Sequence, residues 1–102
     1  MSASTSVPVL CIYTLHPGKD ADFLALIARH WPTLRDNGLS TDTPAVLKRS
    51  TTRSGDTVII EEFSWKNERC SALAHQAPAV MAIWEPLGAL CSDMKFYHLE
   101  SV

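Results

Sequence analysis

Apolar and polar positions change period several times along the chain, and each change marks a new element. Over 8–15, PVLCIYTL, apolar side chains occupy both alternating faces and β-formers dominate, as in a strand covered on both sides. Pro17 and Gly18 then break the pattern with a turn. From Asp20 the spacing becomes three and four. Phe23, Ile27, His30 and Leu34 share one face, with Leu24, Leu26 and Trp31 beside them, which predicts a helix stopped at Asn37-Gly38 and kinked or loosened at Pro32. A loop over 40–44 leads to AVLKRSTTR, which alternates as a half-exposed strand does, and Ser54-Gly55-Asp56 reads as a hairpin turn. TVIIEEFSWK is a second doubly covered strand. The next helix opens at Asn67 or Glu68, is divided by Pro78, and continues with Val80, Trp84, Leu87 and Cys91 on one face, with a bend expected at Pro86. MKFYHLESV closes the chain as an edge strand. The stretch 72–90, interrupted by two prolines, reads as a lid that packs one side of a small sheet and closes one end of a cavity.

The order β-α-β-β-α-β predicts a ferredoxin-like α+β fold, a split βαβ arrangement with a four-stranded antiparallel sheet and both helices on one face. The uncovered face should then be polar. Instead Leu10, Ile12 and Thr14 oppose Val9, Cys11, Tyr13 and Leu15 in the first strand, and Val58 and Ile60 oppose Ile59, Phe63 and Trp65 in the third. A bare apolar face of several hundred Å², on the order of the largest patch monomers tolerate, calls for a cover. A second copy is the simplest one, so a homodimer forming a dimeric α/β barrel is expected, with space for a small hydrophobic or aromatic molecule between sheet and helices.

Composition narrows the picture. With 102 residues the chain suits one domain over 8–102, and Met-Ser-Ala-Ser-Thr-Ser, lacking the basic start and apolar core of a secretion signal, predicts a flexible tail over 1–7. Apolar residues are 46% and charged ones 20%, the mix of an ordinary globular domain. A net charge of −2 with scattered basic residues argues against a nucleic-acid partner, and no apolar run is long enough for a membrane partner. Three dispersed cysteines, Cys11, Cys70 and Cys91, form no CxxC pair and fit a reduced, cytoplasmic setting. Four histidines, His16, His30, His75 and His98, lack ligand spacing, so no metal is expected. No phosphate loop, dinucleotide fingerprint or nucleophile elbow is present.

HPGKDADFLALI, a turn leading into an acidic-aromatic helix start, resembles the dimeric α/β-barrel family that includes the antibiotic biosynthesis monooxygenases. Glu61-Glu62-Phe63 is similar to that family's Glu-x-aromatic strand end, and His75 before Ala77-Pro78 resembles the histidine closing its second helix. The likeness spans roughly residues 8–99; SWKNER between Phe63 and the helix is longer than usual. The resemblance implies a cavity in each protomer and a chemistry drawn from several: cofactor-free oxidation of polycyclic phenols by molecular oxygen, haem degradation, or lactone isomerisation. Haem degraders use an asparagine where this chain has Cys11, and a tryptophan in the region of Ala74 and His75, so that branch fits poorly.

Cofactor-free oxygenation needs an apolar pocket and a group that takes a proton, since the ionised substrate supplies the electrons. The catalytic candidates are therefore His75, Glu61 and His30. His30 reads equally as a core histidine bonded to a backbone carbonyl, and His75 as a cap on the last helical carbonyls. Glu61 and Glu62 point to opposite faces, so one of them is buried and needs a partner, with Arg29, Arg49 or Lys48 as the bland choices. Tyr13, Trp31, Phe63 and Trp84 are expected to bind a flat aromatic substrate, or simply to fill the core. The competing function is a non-catalytic binding or regulatory module for a hydrophobic metabolite, or an isomerase or decarboxylase on the same fold.

Overall fold

The computed structural model describes residues 5–102. Residues 1–4, most of the expected tail, lie outside the described residues. The elements run β1 (Val7–Leu15), α1 (Asp20–Ile27), α2 (His30–Asp36), β2 (Val46–Thr51), β3 (Thr57–Trp65), α3 (Cys70–Ala74), α4 (Pro78–Ala89) and β4 (Cys91–His98). The sheet has four strands in the order β2-β3-β1-β4, with every neighbouring pair antiparallel. This is the ferredoxin-like α+β fold that the element order implies.

Each predicted helix is two helices, and proline explains both cases. Pro32 has no N–H to give the carbonyl of residue 28, and its ring crowds that carbonyl. The first helix therefore ends at Ile27 and restarts at His30, which puts Pro32 in the first turn of α2, where the missing N–H costs nothing. The side-chain register survives the break: Phe23, Ile27, His30 and Leu34 are all buried. Pro78 divides the second segment as expected, opening α4 at its first position, and the expected start at Asn67 or Glu68 falls three or two residues before α3. Asn67 caps that turn with its side-chain oxygen, which accepts from the Arg69 N–H at 2.9 Å. Pro86 sits inside α4 without ending it. Cys91, expected on the last helical face, is the first residue of β4.

β1 and β3 form the middle of the sheet, and their odd-numbered residues turn toward the helices. Val9, Cys11, Tyr13 and Leu15 meet Ile59, Glu61, Phe63 and Trp65 in a core completed by Phe23, Leu34, Val80, Ile83 and Leu87. The hairpin between β2 and β3 closes at Thr52–Asp56, where Gly55 takes φ 91°, a left-handed angle that favours glycine. Thr57 donates from its hydroxyl to Asp20 Oδ2 at 2.8 Å, tying the start of β3 to the start of α1. β2, expected to be half-exposed, is exposed along its whole length because no helix reaches that edge. On the outer face Leu10, Ile12 and Ile60 are half-buried, while Val46 and Tyr97 are about half exposed, at 51% and 48%.

Candidate functional site

A cavity of about 380 Å³ lies between the β1–β4 half of the sheet and helices α2, α3 and α4. That volume falls within the range of small-molecule sites. Its walls are mostly apolar and aromatic: Tyr13, Phe63, Trp65, Trp84 and Phe96, with His30, His75 and His98 as the ionisable nitrogens. The antiparallel register explains which β4 residues reach it. Val9 faces His98, Cys11 faces Phe96 and Tyr13 faces Met94, so these β4 side chains share the helix-facing side of β1. Because β4 is an edge strand, Phe96 remains 54% exposed and the cavity is open on that flank.

One wall contains a buried polar chain. Glu61 is fully buried on β3, and its Oε1 accepts the Tyr13 hydroxyl at 2.8 Å. His30 Nδ1 approaches the same carboxylate at 2.8 Å to Oε2 and 3.1 Å to Oε1. On the other side of the ring, Trp84 Nε1 donates to His30 Nε2 at 2.8 Å. An indole N–H only donates, so Nε2 must be the accepting, unprotonated nitrogen. The ring proton then lies on Nδ1 and goes to Glu61, which accepts from two donors as a carboxylate. All four side chains are satisfied by one another, as buried polar groups require.

The carboxylate has electrostatic consequences for its neighbours. The Tyr13 phenol is pushed far above its ordinary range, first by burial and then by the negative charge of Glu61. Burial, reinforced by Glu61, pushes the Cys11 thiol up to about 12, so Cys11 lines the cavity as a neutral, unreactive thiol. Burial also raises Cys91, to about 11.

The expected site residues separate into three groups. His30, His75, Tyr13, Phe63 and Trp84 line the cavity together. Glu61 does not: it stands behind His30 and Tyr13, hydrogen-bonded to both, and is not among the residues lining the cavity. Its partners are also not the expected Arg29, Arg49 or Lys48, all of which are exposed. Trp31 lies outside the cavity lining. It is half-buried, with the Arg35 guanidinium 5.0 Å from its ring centre. His30 binds a carboxylate and an indole, not a backbone carbonyl. His75, at the end of α3, is exposed toward the cavity and rests edge-on against Trp84, ring centres 4.8 Å apart. Its ring makes no side-chain hydrogen bond among the described residues. The β4 contribution, Met94, Phe96 and His98, was absent from the expected set; pairing β4 with β1 by register would have found it. Among the described residues, no three His, Cys, Asp or Glu side chains group as metal ligands, and no helix is long and apolar enough to cross a membrane.

No family model and no curated protein matches the chain by sequence. Solved structures do match by shape. SnoaB, a cofactor-independent oxygenase from Streptomyces nogalater, superposes with a TM-score of 0.69 at 18% identity over 97% of each chain. A Bordetella bronchiseptica protein provisionally described as an antibiotic biosynthesis monooxygenase gives 0.71 at 13% identity, covering 95% of this chain and 97% of its own. A Caulobacter crescentus protein with the same provisional description gives 0.70 at 12%, covering 98% and 92%. The chain therefore has the fold of the antibiotic biosynthesis monooxygenase structures. At these identities the likeness extends to the fold and no further.

Proposed function

We propose that the chain is a cofactor-independent monooxygenase acting on a small aromatic, phenolic or enolisable substrate held in the apolar cavity. The observation that carries this reading is the combination of an aromatic-walled cavity with a histidine at its wall, His75, whose ring makes no side-chain hydrogen bond among the described residues. In the proposed reaction a ring-flanked CH₂ group loses a proton to His75. The resulting enolate gives one electron to dioxygen, and the two radicals join through a new C–O bond. His75 returns the proton to the peroxide, and loss of water across the C–H and O–O bonds leaves a carbonyl. The balance is R₂CH₂ plus O₂ to R₂C=O plus H₂O, and an apolar site favours it by keeping bulk water from the enolate. Tyr13 and Cys11, held neutral, act as wall and not as bases.

Oxygen uptake with anthrones and hydroquinones tests the proposal. His75→Ala is expected to lower kcat by about 10²-fold or more while the KM moves little. Unchanged turnover of a verified substrate would remove His75 from the role. A second reading, a non-catalytic binding module for a hydrophobic metabolite, is favoured by one observation: both nitrogens of His30 are already engaged. Tight binding of the same aromatics with no oxygen uptake by any of them would select it.

We further infer that a second copy covers the outer face of the sheet, where Leu10, Ile12, Ile60, Val46 and Tyr97 form an apolar patch beside Lys48, Lys95 and Glu62. Sedimentation is expected to give twice the chain mass at micromolar concentration, and Ile12→Lys to shift it toward one chain. A monomer at all dilutions would exclude the dimer. The three free cysteines fit a cytoplasmic location.

A further inference from the structure

His30, backed by Glu61, has the arrangement of a base whose accepting nitrogen points at a donor, and that donor is the indole of Trp84. Trp84 packs against the edge of the core without being fully buried in it. It is half-buried, lines the cavity, and is held edge-on between His75 at 4.8 Å and Trp65 at 6.5 Å between ring centres. His30 Nε2 is therefore a cavity-wall acceptor covered by a side chain that itself borders open space.

We propose that Trp84 is a gate on His30: a phenolic or enolic ligand binds by displacing the indole N–H and donating its own hydroxyl to Nε2. This deepens the proposed function and rests on its reading of the cavity as the ligand site. Displacement exchanges one donor for another at the same nitrogen, so the Nδ1–H bond to Glu61 is undisturbed and the ring keeps its tautomer. An aromatic lacking a hydroxyl has nothing to offer Nε2 and leaves the gate closed. The gate thus selects for hydroxylated aromatics over their ethers. The ionisable groups around the ring are Glu61 on β3, Tyr13 and Cys11 on β1, His75 at the end of α3 and His98 on β4. Among the described residues none of these donates to Nε2, whose hydrogen bond is to Trp84.

Nitrogen-15 spectra of the histidine-labelled protein, titrated anaerobically with 1-naphthol and with 1-methoxynaphthalene, test the gate. The free protein is expected to show His30 as the Nδ1–H tautomer, with the Trp84 indole proton shifted by its bond. Addition of 1-naphthol should move both the His30 Nε2 and the Trp84 Nε1–H signals, and the ether should move neither. Trp84→Phe, which has no donor, should bind 1-naphthol at least fivefold more tightly and the ether with unchanged affinity. Replacement of Trp84 by 3-benzothienylalanine keeps the bicyclic shape without the N–H and repeats the comparison should phenylalanine loosen the packing. Binding of 1-naphthol that leaves both signals in place overturns the gate, as does equal tightening for the two ligands or binding to neither protein. These anaerobic titrations read binding alone, so a lack of oxygen uptake in the separate aerobic assay removes the oxygenase reading and leaves the gate standing.

Discussion

Glu61→Ala is expected to lower the free energy of unfolding by about 3–5 kcal/mol, measured by urea titration near neutral pH. The fully buried carboxylate is the common acceptor of the Tyr13 hydroxyl and His30 Nδ1–H. Alanine leaves both donors buried with no partner, each at about 1–3 kcal/mol, and opens a void between β1, β3 and α2. Removing a buried charge returns part of this, since a carboxylate is costly to take out of water. The unpaired donors outweigh that gain because neither side chain can reach solvent: His30 is 2% exposed and Tyr13 1%. For a domain whose total stability is of order 5–15 kcal/mol, the loss is large. Glu61→Gln retains the shape and one accepting oxygen, so it should recover roughly half of the deficit. A change below about 0.5 kcal/mol for alanine, the size of an ordinary surface substitution, would mean that the network contributes nothing to the fold.

That one of two neighbouring glutamates is buried was legible in the sequence, but not which one. Two adjacent carboxylates on a strand covered on both sides must point to opposite faces, and Glu61 shares its side with Ile59 and Phe63. Its partner was not legible. His30 and Glu61 are 31 positions apart, on a helix and a central strand, and no periodicity states how a helix is rotated over a sheet. The basic residues nearest in the hairpin mislead for a physical reason. Lys48 pairs with Ile60 and so shares the outer face, while Arg49 stands on the helix-facing side of an edge strand where its long side chain stays hydrated. Pro32 was read as a kink or loosening and Pro78 as a division, and both occupy a first helical turn, because a restart satisfies the same sterics at less cost than a bend. The helical stripes outlived those breaks. What the chain declares locally is which residues turn inward, and what it withholds is which inward residues meet.

The cavity wall also makes the fold sensitive to alkali. Cys11 and Tyr13 are adjacent on the helix-facing side of β1, and both are held neutral by burial and by the Glu61 carboxylate. Their folded-state pKa values are raised, so their contribution to stability is complete below the unfolded values of 9.0 for the thiol and 10.0 for the phenol. Above those values the unfolded chain loses protons that the folded chain keeps. Stability then falls with rising pH, for Cys11 between 9.0 and about 12, and for Tyr13 from 10.0 through the rest of the alkaline range. Each group contributes a slope of about 1.4 kcal/mol per pH unit, which gives a loss on the order of 4 kcal/mol between pH 8 and pH 11. The half-buried Cys91, raised to about 11, adds a smaller decrement of the same sign, reduced by its partial hydration. Urea titrations across that interval measure the slope. Cys11→Ala is expected to flatten it from pH 9 upward and Tyr13→Phe from pH 10 upward, whatever each substitution does to stability at pH 8. An alkaline slope identical in the parent and in Cys11→Ala would mean that the thiol ionises as freely in the folded chain as in the unfolded one, and that the wall beside Glu61 is wet.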